Sequence, residues 1–208
     1  MKVRAALLSA LAVFVLGTTA GQARASIIVG GLTFDDNAFA DELVSSVGSY
    51  SVGGAATLDA ALVGPDASSY AFSFSPDAQL VLRFVDNLLF NGAGADLAVF
   101  DLGVNDSFDL AIAVGGATRT YTTASTPFTA GGFDLNAALI DLSDFGLAAG
   151  ATVSDIQIFP LIFGTTPSFA AFGALNSQAA VPEPSVPEPT ALLLLGSALV
   201  AGFARRRR

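Results

Sequence analysis

The sequence predicts an all-β fold, a β-sandwich or jelly-roll ectodomain over residues 26–176, and three observations carry that expectation. Apolar and polar residues alternate at period two in short runs, turn-forming residues punctuate the runs, and no long amphipathic helical pattern interrupts them. In chain order, Tyr70-Ala-Phe-Ser-Phe74 is the first clear candidate strand. Leu80, Leu82 and Phe84 then alternate with Val81, Arg83 and Val85. Asp96-Leu-Ala-Val-Phe100 follows, and Phe108, Leu110, Ile112 and Val114 alternate with Asp109, Ala111 and Ala113. Asp134 to Leu142 reads as a helical turn or short helix, after which Ile156 and Ile158 alternate with Asp155 and Gln157. Gly64-Pro65-Asp66, Asn91-Gly92, Gly115-Gly116 and Gly131-Gly132 separate these runs. The stretch is long enough to bury a two-sheet core.

Composition excludes whole classes of chemistry. The 208-residue chain has no His and no Cys, and its only lysine is Lys2. That removes Ser-His-Asp and Cys-His nucleophile systems, lysine Schiff bases, disulfides and the usual zinc ligand sets. Residues 26–180 hold two arginines, Arg83 and Arg119, against sixteen carboxylates, a formal charge of −14. A nucleic-acid binder needs cations to displace phosphate counterions, so no nucleic-acid partner is expected. A peripheral binder of anionic lipid is disfavoured for the same reason.

Both ends read as addresses. Lys2 and Arg4 precede an apolar stretch from Ala5 to Leu16, and Ala23-Arg24-Ala25 supplies small residues for cleavage between Ala25 and Ser26. Residues 1–25 are therefore read as a signal peptide, since the apolar stretch falls short of the ~20 residues a span needs. Residues 177–190 form a Pro-rich linker with two Pro-Glu-Pro tripeptides, in which proline fixes φ and disfavours helix in its predecessor. Residues 191–208 then hold an apolar run from Ala191 to Ala204, read as a single membrane helix, and end on Arg205, Arg206, Arg207 and Arg208. Arginines directly after an apolar run hold that end on the cytoplasmic side.

Pro-Glu-Pro, a short apolar helix and an arginine cluster, in that order and paired with a signal peptide, resemble the PEP-CTERM sorting signal of exported bacterial proteins. The resemblance implies an exosortase-type processing enzyme as partner, and a Gram-negative producer of exopolysaccharide, which becomes a candidate ligand. It places the family's processing role on Pro187, Glu188 and Pro189, the copy nearest the apolar run. It implies a chain anchored in the inner membrane before processing, then found at the cell surface or outside the cell.

The most informative internal stretch is Asp86-Asn-Leu-Leu-Phe-Asn-Gly-Ala-Gly-Ala-Asp-Leu-Ala-Val-Phe-Asp101. Asn91-Gly92 predicts a type I′ hairpin turn, in which both central residues take positive φ. The glycines are not a dinucleotide fingerprint, because Leu97 stands where the third would fall and a strand follows. The stretch resembles the Asn-Gly-x-Gly-x-Asp-Leu-x-Val-Phe-Glu pattern of PEP-CTERM ectodomains, which look like jelly rolls, with Asp101 in place of Glu. Asp86, Asn91 and Asp96 are candidate calcium ligands, since Ca²⁺ takes six to eight oxygens from such groups. The competing reading is that Asp and Asn occupy turns by bonding their own backbone.

These readings give an exported, non-catalytic structural or binding protein of the cell surface or extracellular matrix, with no cofactor expected beyond a structural calcium. A secreted carbohydrate-active enzyme using an Asp pair is the alternative, and a self-associating adhesin is a third reading, opposed by the charge. The phenylalanines, 17 in all, are read as core rather than as a ligand platform.

Overall fold

Period-two alternation becomes strand wherever one parity can be buried, and most of the alternating runs do so here. The computed structural model describes residues 25–113, 115–160 and 166–180. The signal peptide before Ala25, Val114 of the predicted strand, and the tail with Pro187–Pro189 and Arg205–Arg208 lie outside these residues. Two larger sheets dominate, and every strand pairing in the described residues is antiparallel.

The five-stranded sheet runs, in spatial order, β10 (Arg119–Thr122), β9 (Ser107–Ala111), β14 (Asp155–Phe159), β6 (Gln79–Arg83) and β3 (Glu42–Val47). Leu80, Leu82, Phe108, Leu110, Ile156 and Ile158 are all fully buried, as their alternation predicts. Across it, Arg83 bonds Asp155 through two nitrogens at 2.7 and 2.9 Å and reaches Glu42 at 3.6 Å. The six-stranded sheet runs β11 (Ala124–Ala130), β12 (Phe133–Ile140), β8 (Leu97–Leu102), β15 (Phe169–Ala174), β5 (Tyr70–Phe72) and β4 (Ser51–Gly53). Phe108 of β9 meets Phe169 of β15 edge to face, at 5.2 Å between ring centres, and this pair joins the two sheets. Both sheets are open at their edges, so the expected jelly roll is not realised as a closed structure; what stands is an all-β, sheet-rich core.

A β-bulge decides how β15 packs. Phe169 pairs with Asp101 and Phe172 with Val99, so one partner step opposes more than one step of β15. The register shift lets two phenylalanines three apart point to the same interior side, and their rings lie 5.6 Å from each other. Gly173 then faces the opposite side, where a methyl group would come 2.6 Å from Phe34. Phe34 belongs to a hairpin of β1 (Ser26–Val29) and β2 (Leu32–Asp35), and it packs on Phe39 and Phe100 at 4.9 and 6.0 Å. All six residues of β8 are consequently buried, one face under the other large sheet and one under the hairpin.

A third, small sheet holds β13 (Thr152–Val153), β7 (Asn87–Phe90) and β16 (Ser177–Ala179). Residues that the sequence assigned to the linker thus continue the sheet. One short helix, α1 (Leu58–Leu62), was not foreseen; Thr57 caps it by accepting the Ala60 N–H at 3.1 Å.

Three local expectations are corrected. Residues 134–140 lie in β12, because pairing with β8 and β11 on both sides outweighs the weak helical signal of an Ala/Leu-rich run. Asn91-Gly92 is not a type I′ turn: no described non-glycine residue has positive φ, and in this loop positive φ falls on Gly94. The strands it was expected to join, β7 and β8, lie in different sheets. Tyr70 and Phe72 are only half-buried while Ala71 is buried, and Phe74 is 74% exposed, so Tyr70 packs on the margin of the core and none of the three rings lies within it.

Truncating the ring that bridges the sheets should be costly. Phe169→Ala is expected to lower unfolding free energy by about 3–5 kcal/mol, measured by urea denaturation, whereas Phe128→Ala, on a ring 44% exposed, should change it by less than ~1 kcal/mol.

Candidate functional site

The residues singled out in the sequence collect around the start of β8. Asp96 is fully buried, and its carboxylate accepts from the Gly92 N–H at 2.8 Å, the Leu142 N–H at 2.9 Å and Asn176 Nδ2 at 2.8 Å. Its backbone N–H donates to the Ile140 carbonyl, and its carbonyl accepts from the Leu175 N–H. One residue thereby ties the 91–95 loop, the 3₁₀ turn Leu142–Phe145 and the corner after β15. Gly92 permits the approach, since a methyl group there would lie 2.7 Å from the Asn176 side chain. Asn91 does similar work next door: its Nδ2 donates to the Leu147 and Ala148 carbonyls at 2.9 and 3.1 Å.

Asp86 stands apart. It is exposed at the opposite end of β7 from Asn91, about 17 Å away for five strand steps, and its carbonyl accepts the Ala180 N–H. The structure therefore brings Asn91 and Asp96 together and leaves Asp86 outside. Among the described residues no group of three or more His, Cys, Asp or Glu is placed to hold a metal ion.

At the far end of β8 sits a second buried carboxylate. Asp101 is fully buried on the interior face; its Oδ1 accepts the Ser168 N–H at 2.7 Å and its Oδ2 accepts Thr123 Oγ1 at 3.2 Å. Thr123 in turn accepts the Asp106 N–H at 3.0 Å. Burial pushes the Asp101 carboxyl up to about 7; the Ser168 N–H pulls it down, and the neighbouring Asp106 charge adds to the rise. Burial also raises Asp106, opposed by its bond from the Thr166 backbone. The pair holds the 166–168 segment against the β10–β11 corner. Asp101 carried a signal in the sequence through its place in the motif; Thr123 and Ser168 carried none.

These acids are acceptors for backbone and hydroxyl donors, and Asp96 and Asp101 lie about 17 Å apart along one strand. A glycosidase needs its two carboxyls at roughly 5–9.5 Å across a substrate cleft. Two open grooves among the described residues are lined by other residues. One, of about 380 Å³ between the β1–β2 hairpin and β11–β12, is lined by Gly30, Leu32, Thr126, Ala137 and Leu139 among others, with no titratable group. Another, of about 470 Å³, holds Asp155, whose carboxylate is engaged by Arg83.

The described part is thus an all-β domain whose buried carboxylates fasten loops. Residues 185–208 match the family model described as the PEP-CTERM protein-sorting motif. The C-terminal region is accordingly a PEP-CTERM sorting signal, which supports export and sorting through an exosortase. No curated protein and no solved structure matches the chain.

Two predictions rest on this geometry. Asp96→Ala strands three N–H donors and should cost about 3 kcal/mol or more, whereas Asp86→Ala should be neutral; millimolar calcium should leave the melting temperature of the native chain unchanged. For Asp101 the folded pKa lies above the ordinary value, so its cost is fully present above pH 7. That cost is relieved as pH falls from 7 toward 4, where only the folded state takes up the proton. Stability should therefore rise on acidification from pH 8 to pH 5, by up to ~1.4 kcal/mol per pH unit at the steepest point. Denaturation midpoints at each pH measure this, and Asp101→Asn should flatten the profile.

Proposed function

We propose that this protein is an exported, non-catalytic binding module, held in the inner membrane by its C-terminal apolar run until an exosortase-type enzyme processes the tail. The match of residues 185–208 to the sorting motif carries this reading. The arginines at 205–208 act as the cytoplasmic anchor, because moving them across the bilayer is costly. Processing then releases the β domain to the cell surface or the surrounding matrix.

The non-catalytic part is supported by composition and by how the acids are used. Residues 26–180 contain no His, Cys or Lys, and the buried carboxylates of Asp96, just before β8, and Asp101, on it, are occupied as acceptors. A binding role instead suits a rigid all-β scaffold with apolar side chains on its surface.

Replacing Arg205–Arg208 with glutamine should leave the tail unprocessed and reduce retention in the membrane fraction, read by immunoblot of fractionated producer cells. Processing and fractionation identical to the native chain would overturn the sorting assignment.

A further inference from the structure

The outer face of the six-stranded sheet, near its β4 edge, carries a continuous row of aromatic rings. Tyr70, Phe72 and Phe74 alternate outward along β5 and just beyond it, separated by buried Ala71 and Ser73. Phe133, at the start of β12, meets Tyr70 at 5.6 Å, Tyr70 meets Phe72 at 6.3 Å, and Phe72 meets Phe74 at 5.4 Å. The two central rings are parallel to within 20°, while Phe133 and Phe74 are turned by 76° and 78° to their neighbours.

Glycine makes room for the central pair. Gly53 of β4 pairs with Tyr70, and a Cβ on Gly53 would run into Cζ of the Tyr70 ring. The half-buried Tyr70 ring therefore leans over bare backbone and packs partly against the core, and the half-buried Phe72 ring lies nearly parallel to it. The result is a near-parallel pair of rings with a more exposed ring turned across each end. Phe74 is 74% and Phe133 46% exposed. An exposed apolar surface of this kind marks an interaction site.

We infer that this row is a glycan-binding platform whose ligand is a neutral polysaccharide, a deepening that rests on the reading of the domain as an exported binding module. A pyranose ring presents axial C–H groups on one face, which suit the electron-rich face of an aromatic ring. It also carries equatorial hydroxyls at its rim. β4 is the last strand of its sheet, so an open edge of N–H and C=O groups lies beside the platform to meet those hydroxyls. The end rings, turned across the row, limit sliding along it.

Charge chooses this ligand over the other occupants of an apolar face. β4, β5 and β12 contain no Lys or Arg. Both arginines of residues 26–180 are used elsewhere, Arg83 on Asp155 and Arg119 on the Asp144 carbonyl. An acidic polysaccharide or an anionic lipid surface would meet a body of charge −14 with no cation at the contact. A second copy would bring a further −14. A neutral polymer carries no such penalty, and its hydroxyls can also donate to carboxylates.

The test uses the full chain purified in mild detergent and a panel of cellulose, amylose, xylan and galactomannan, with alginate, phosphatidylcholine vesicles and sedimentation as the competing arms. At least one neutral polysaccharide should bind and alginate should not. Phe74→Ala combined with Phe133→Ala should weaken binding tenfold or more. Gly53→Ala should do the same by lifting the Tyr70 ring while removing no aromatic group, and Phe128→Ala, an exposed ring off the row, should change binding less than twofold. Binding to none of the four neutral polymers, or binding insensitive to the row variants, overturns the platform. So does vesicle binding or self-association that those variants abolish. The tail processing assay reads the export assignment separately, so loss of glycan binding with normal processing strikes the platform alone.

Discussion

A strand buried on both faces leaves no room for an unsatisfied polar group, and β8 is such a strand. The opposing sheet packs against one side through Phe108, which meets Phe169 of the neighbouring strand β15, and the β1–β2 hairpin covers the other through Phe34 on Phe100. The carboxylate just before it, Asp96, and the one on it, Asp101, are both buried and therefore committed to N–H and O–H donors that loops must bring to them. The Gly92, Leu142 and Asn176 donors come from three segments far apart in sequence, and Ser168 and Thr123 come from two more. Burying β8 is thus what positions the loops around it.

The two ends of the strand differ in consequence. At Asp96 three donors surround one carboxylate, which makes it a structural fastener. At Asp101 the donors are fewer, and Asp106 lies close enough to oppose ionisation. A domain held this way is tolerant of mildly acidic surroundings and loses stability as its core acid ionises. Both carboxylates are buried, and their acceptor capacity goes to holding loops in place.

Recognition, on this view, depends on what the sheet lacks. Gly53 leaves a bare backbone under Tyr70, and the absence of cations around β5 leaves an uncharged apolar surface on a strongly acidic body. The sorting motif at residues 185–208 supports export of the domain that carries this surface.

By itself the sequence determined the address, the all-β class and the chemistry ruled out. Each of these is local: a tail motif is read in order, alternation in β6, β9 and β14 shows in a few residues, and a missing histidine is missing everywhere. The tertiary structure decided the rest. Residues 134–140 became strand because β8 and β11 flank them, and the bulge in β15 turned Phe169 and Phe172 to one side although their spacing breaks alternation. Asn91 and Asp96 were legible as a cluster, but their use as loop fasteners depends on Leu147, Leu142 and Asn176, which are 46 to 80 positions from one or the other. Tyr70, Phe72 and Phe74, with small residues between them, offered an alternation that fits either face. Which parity goes inward is settled only when a second sheet covers one side, because burial is a property of what packs against a strand and not of the strand.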